Sequence, residues 1–100
     1  MNTTPLKMIV LVAEPILESR LVNELRDLGA TGCTIIDGRG EGSRHAHAAE
    51  VPGVNIRIEA IVQPDVADRI MQHVSEQYFA HWSFIAYVVD VSVARSAKYT

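Results

Sequence analysis

Cysteine is almost missing from this chain of 100 residues, which has only Cys33. That excludes an intrachain disulfide and any zinc site built from several thiolates of one chain. Cys33 itself lies in a β-branched stretch and reads as a small core residue. Positive charge is also scarce: nine Lys and Arg against twelve Asp and Glu give a formal charge of −3, with an isoelectric point near 5.7. Nucleic acid, or an anionic membrane held by bulk charge, is therefore not an expected partner. The apolar run Met8 to Ala13 is too short to cross a bilayer, and Met1 to Lys7 lacks the charged start of a secretion signal. A cytoplasmic protein is expected. Repeats, low-complexity tracts and interdomain linkers are absent too, while 48% hydrophobic residues are enough for one domain over residues 1–100. A domain this small buries roughly two-thirds of its unfolded surface, so association between copies would stabilise it.

The hydrophobic pattern sets out six elements. Leu6 to Ala13 is an Ile- and Val-rich run, which predicts a strand covered on both faces. Pro15 opens a helix whose buried stripe is Leu17, Leu21, Val22, Leu25 and Leu28, ended by Gly29. Thr31 to Asp37 predicts a second strand, and strict alternation from Val54 to Val62 a third. Pro64 and Asp65 start a second helix with Val66, Ile70, Met71, Val74 and Tyr78 on its buried side. Phe84 to Ala94 is the last strand, with Ile85, Tyr87, Val89, Val91 and Val93 on one side and Phe84, Ala86 and Val88 on the other.

Strand, helix, strand, strand, helix, strand is the ferredoxin-like βαββαβ order, an α+β fold with an antiparallel sheet and two helices on one face. The opposite face has no helix of its own. Apolar residues on both sides of the first and last strands predict that this face meets another copy of the chain.

The richest stretch chemically is GATGCTIIDGRGEGSR, Gly29 to Arg44, which feeds a polar loop over about residues 38–53. Glycines at 38, 40 and 42 permit positive φ and close backbone approach, so amide groups there can converge on an anion, with Ser43 and Arg44 adding a hydroxyl and a cation. The segment is neither a Walker A loop nor a Rossmann turn, and on composition alone a flexible connection fits as well. His45 and His47 would make two metal ligands in an extended segment, with Glu50 the nearest acid, but no third ligand stands beside them. No metal site is therefore expected. His73 and His81 read as helix-surface and turn residues. Ser43 has no evident base, so catalysis is not expected. Tyr78, Phe79, Trp82 and Phe84 read as core closure around a turn rather than a base-stacking platform.

These residues resemble the PII signal-transduction superfamily, whose members carry Gly-x-Thr-Gly-x-Thr-Val followed by Gly-x-Gly at the base of a mobile loop. Here the pattern falls on Gly29, Thr31, Gly32, Thr34, Ile35, Gly40 and Gly42. Gly-Ala-Thr-Gly followed by Gly-x-Gly-Ser-Arg resembles most closely the PII-like branch associated with bicarbonate transporters and carboxysomes. The resemblance implies a non-enzymatic homotrimer with a nucleotide in each cleft between subunits and a loop that docks on a partner. It places Thr34 near the adenine, Gly32 in the same nucleotide site, and Gly40, Gly42, Ser43 and Arg44 around phosphates, with Arg95 and Lys98 supplying charge from the adjoining subunit. Bicarbonate would be held by the loop backbone at Gly40, Glu41, Gly42 and Ser43. The implied partner is a bicarbonate transporter or a carboxysome-linked protein, with peripheral recruitment to a membrane transporter.

Three departures shape the expectation. The nitrogen-regulating branch has a Gly- and Lys-rich phosphate loop after the second helix, whereas Tyr78 to Ser83 contains no lysine. Fewer cations favour AMP, ADP or cyclic AMP over ATP. The long loop has no tyrosine for nucleotidylation, and no cysteine-containing tail is expected to act as a redox switch. A different reading of the same element order is a ferredoxin-like module that binds amino acids or other small molecules, with the glycine loop as a connector.

Overall fold

A computed structural model describes residues 2–41 and 53–99. Its elements are β1 (Thr4–Ala13), α1 (Glu18–Leu28), β2 (Thr34–Arg39), β3 (Val54–Val62), α2 (Pro64–Gln77) and β4 (Ile85–Val93), with 3-10 turns at Pro15–Leu17 and Ser96–Tyr99. All pairings are antiparallel, and the strand order is β2-β3-β1-β4. The expected α+β arrangement of a four-stranded sheet and two helices is present. β2 starts and ends later than its hydrophobicity suggested, because Gly38 and Arg39 still pair with Asn55 and Val54. The loop therefore starts at Gly40, not at residue 38.

Sheet alternation and helix periodicity meet in one core. Ile9, Leu11 and Ala13 of β1 and Ile56, Ile58, Ala60 and Val62 of β3 pack against Leu21 and Leu25 of α1 and Val66, Ala67, Ile70 and Val74 of α2. Phe84 and Ala86 join this side from the last strand. Neighbouring residues across a ladder share a face, so Met8, Val10 and Val12 lie on the other face with Val89, Tyr87 and Ile85. Ile85 is 58% exposed there, Tyr87 38% and Val89 37%.

Local chemistry sets the helix limits. Pro15 and Pro64 stand at the starts, where a missing N–H costs nothing. Glu18 and Asp65 lie in first turns and Arg26 in the last turn of α1, matching the helix dipole. Gly29 ends α1 at φ 120°, and a Cβ there would lie 3.1 Å from Val66 Cγ2, so the position needs glycine for both conformation and space. Cys33 precedes β2 and is exposed, which corrects the expected core role. The peptide turns sharply between Gly29 and β2, before the strand's alternation begins.

Candidate functional site

The described site residues among those inferred from sequence fall at the two ends of β2. Gly32 is exposed, with open space where a Cβ would point. Thr34 opens β2 opposite Glu59. The Ser96–Tyr99 turn reaches the same end, where Thr31 Oγ1 donates to the Lys98 carbonyl at 3.2 Å. The Lys98 amide in turn donates to the Arg95 carbonyl at 3.2 Å. Arg95 and Lys98 are exposed. The C-terminal turn thus serves the Gly29–Thr34 segment of its own chain, so within one subunit the Lys98 backbone is bound in cis.

At the other end of β2 the hairpin narrows. The Gly40 amide donates to the Gly53 carbonyl at 2.8 Å, so this N–H closes the loop base. Gly53 has φ 83°, whereas Gly38 and Gly40 do not have positive φ. At Gly38 the Asn55 side chain lies across the glycine, and a Cβ would sit 2.7 Å from Asn55 Oδ1, so a larger residue would require Asn55 to turn aside. A close approach, not a left-handed turn, explains this glycine. Glu41 is exposed at the mouth of the loop. Gly42, Ser43 and Arg44, together with His45, His47 and Glu50, lie outside the described residues. Among the described residues no three His, Cys, Asp or Glu side chains gather to hold a metal, and no helix is long and apolar enough to cross a membrane.

Six strand steps separate Thr34 from Gly40, a span of roughly 20 Å at 3.3 Å per residue. Thr34 and Gly40 therefore mark opposite ends of the exposed edge strand β2.

Sequence reasoning missed a polar cluster at the helix junction. Glu24 on α1 accepts a hydrogen bond from the Tyr78 hydroxyl at 2.6 Å, and its Oε1 lies 2.9 Å from His73 Nε2. Arg20 Nε donates to Glu24 Oε2 at 3.2 Å, and its guanidinium carbon stands 4.9 Å from the Tyr78 ring centre. Burial pulls the Glu24 carboxyl upward, but the bonds from Tyr78, His73 and Arg20 together hold it below the ordinary carboxylate value. Burial first, and then the bond to Glu24, push the Tyr78 phenol well above its usual value. His73 is half-buried rather than a simple surface residue. The usable signal was Tyr78 itself, since a tyrosine on a buried stripe needs a partner for its hydroxyl.

The family model described as Nitrogen regulatory protein P-II matches residues 6–98. Over the whole of both chains, the fold is similar to a PII-like signaling protein from Thermus thermophilus, at 50% identity and a TM-score of 0.86. It is also similar to CPII from Thiomonas intermedia bound to ADP, AMP and acetate, at 23% identity and a TM-score of 0.84, over 99% of this chain and 98% of that one. The same protein bound to ADP and bicarbonate matches at 22% identity, the same TM-score and the same coverage.

Proposed function

The chain belongs to the nitrogen regulatory protein P-II family, and we propose that within it the protein is a sensor that binds an adenine nucleotide between subunits of a homotrimer. AMP, ADP or cyclic AMP are the favoured ligands, with bicarbonate as a second effector at the loop. The observation that carries this reading is the Gly-x-Gly-Ser-Arg segment, Gly40 to Arg44, hung between β2 and β3 in a chain that matches the family along nearly its whole length. The nucleotides and bicarbonate bound to the Thiomonas protein support the choice of ligands.

Gly32, Thr34, Gly40, Gly42, Ser43 and Arg44 would contribute from one copy, and Arg95 and Lys98 from its neighbour, so that each ligand is shared across an interface. The apolar sheet face opposite the helices supplies the surface on which copies meet. The Tyr78–Ser83 turn is without lysine, which favours ligands carrying fewer phosphates. Ligand phosphate would fix the loop in one conformation and its loss would free another, so a partner meets two different surfaces. A bicarbonate transporter or a carboxysome-linked protein is the partner class that agrees with a bicarbonate-responsive loop. The protein acts by binding, in the cytoplasm, and needs no cofactor.

Isothermal titration of the assembled protein with AMP, ADP, ATP and cyclic AMP, with and without bicarbonate, tests the reading. Arg44→Ala should cost about 1.5–3 kcal/mol of nucleotide affinity if the guanidinium bonds a phosphate. An assembled trimer that binds none of the four would sink it.

A further inference from the structure

The Glu24 carboxylate receives more than helix packing requires. Tyr78 and His73 from the α2 side and Arg20 from α1 all converge on it. Tyr78, the most constrained of the three, is fully buried. Its ring stacks on Phe84 at 5.0 Å between centres and 13° between planes, and Phe84 also meets Phe79 at 6.0 Å. The Tyr78 carbonyl accepts the amides of His81 at 3.3 Å and Trp82 at 3.0 Å. One residue thus governs both the entry and the exit of the 78–83 turn: its main chain starts the turn, and its ring is stacked on the residue that ends it.

That turn lies at the same end of the sheet as the loop base. β4 begins with Ile85 beside Val12, and Ile56 near the start of β3 pairs with the adjacent Ala13. β2 ends at Arg39 opposite Val54, the first residue of β3. We propose that Glu24 is a positioning residue for the ligand site: by fixing the Tyr78 hydroxyl it sets the 78–83 turn, which shares this end of the sheet with the Gly40–Gly53 loop base but stands at the opposite edge, beyond β3 and β1, although Glu24 itself touches no ligand. The proposal rests on the nucleotide reading above. Hydrogen-bonded side chains that share one carboxylate act as a unit, so losing the carboxylate charge loosens Tyr78 together with Arg20 and His73.

Glu24→Gln and Tyr78→Phe both preserve shape and test the link, while Leu28→Ala serves as a control that thins the α1 packing without touching the cluster. Trp82 is the single tryptophan and sits in the turn, so its emission reports turn geometry before any ligand is added. Measured well below each variant's Tm, Glu24→Gln and Tyr78→Phe should each shift Trp82 emission and weaken ADP binding about threefold to tenfold. The double variant should be no weaker than the worse single one. Leu28→Ala should lower Tm and change neither reading. The proposal is overturned if Glu24→Gln lowers Tm but leaves Trp82 emission and ADP affinity as in the unmodified protein. If the unmodified trimer binds none of AMP, ADP, ATP and cyclic AMP, the nucleotide reading fails by itself. Trp82 emission of ligand-free Glu24→Gln then decides the positioning role, a shift supporting it and no shift ending it.

Discussion

The two faces of the sheet are almost equally apolar, yet only one is covered by its own chain. On the helix side Ile9, Leu11, Ile58 and Ile70 are sealed to 1% exposure or less. On the other side Val10 is equally sealed, but its neighbours Tyr87, Val89 and Ile85 remain partly open. Val10 is protected by its position on a central strand and by its cross-strand neighbours; the β4 residues lie at the sheet's edge. One face therefore stabilises the fold of a single chain, and the other has apolar surface left to stabilise contact with a second. The polar residues on that face are consistent with this. Arg57 and Glu59 of β3 pair with each other at 2.9 Å, so the charges that share the apolar surface are already partly neutralised.

The largest expected effect is on the sealed side. Ile70→Ala should destabilise the chain by about 2–5 kcal/mol, read as a lower urea midpoint with little change in slope, because α2 cannot collapse into the gap it leaves. Its counterpart on the open side is Val89→Arg. A single chain should tolerate it with a stability change within about 1 kcal/mol, since the position is already partly exposed. Assembly should not survive it, because arginines from the meeting copies would be brought together in an apolar contact. Sedimentation velocity should then report the mass of one 11.0 kDa chain. A mass unchanged from the unmodified protein would break the comparison by showing that copies meet elsewhere.

Much of the covered face was legible in the sequence, and the reason is periodicity. Leu21 and Leu25, Ile70 and Val74, and the alternation from Val54 to Val62 each repeat at the spacing of the element that carries them. What periodicity does not encode was read less well. Gly38 looked like a residue chosen for positive φ, but its φ is not positive and it makes room for Asn55 on the next strand, a contact fixed only by register. Cys33 looked buried because its neighbours are β-branched, although β2 starts one residue later. Glu24 carried no signal of its own, since an acid three or four residues from an arginine is ordinary on a helix surface. The bonds to His73 and Tyr78 cross 49 and 54 residues of sequence. Of the candidate site, the sequence marked residues at both ends of β2, but the distance between those ends emerges only once the strand is built.

The Glu24 cluster closes the covered side with polar groups, and it should respond to pH in two opposite directions. Glu24 titrates below its ordinary value in the fold. Its contribution is therefore present above about pH 4.3, the unfolded value, and is lost as pH falls through the lower folded value. Tyr78 is displaced upward. Its contribution is present below about pH 10 and is lost as pH rises toward the folded value. Tyr78→Phe should cost about 1–2 kcal/mol near neutrality, because it removes one hydrogen bond to a charged acceptor and leaves the Phe84 stack. It should also flatten the alkaline fall in urea midpoint, and a variant retaining the full alkaline slope would break the link between that slope and Tyr78.

The smallest effect is expected where the two faces become alike. Helical cover runs out at the far edge of the helix side: Val88 pairs with sealed Ile9 yet is 41% exposed. Lys7 and Asp90 pair directly across this edge, beside an open cleft lined by Pro5, Leu6, Pro64, Val91 and Ser92. Asp90 is mostly exposed, so solvent screens the attraction and the two side chains lose conformational freedom in making it. Lys7→Ala should change stability by at most about 1 kcal/mol, less still in high salt, measured as the urea midpoint at two ionic strengths. A larger, salt-resistant loss would mean that the Lys7 stem covers the apolar wall of the cleft. The helix side would then extend to the β4 edge of the sheet.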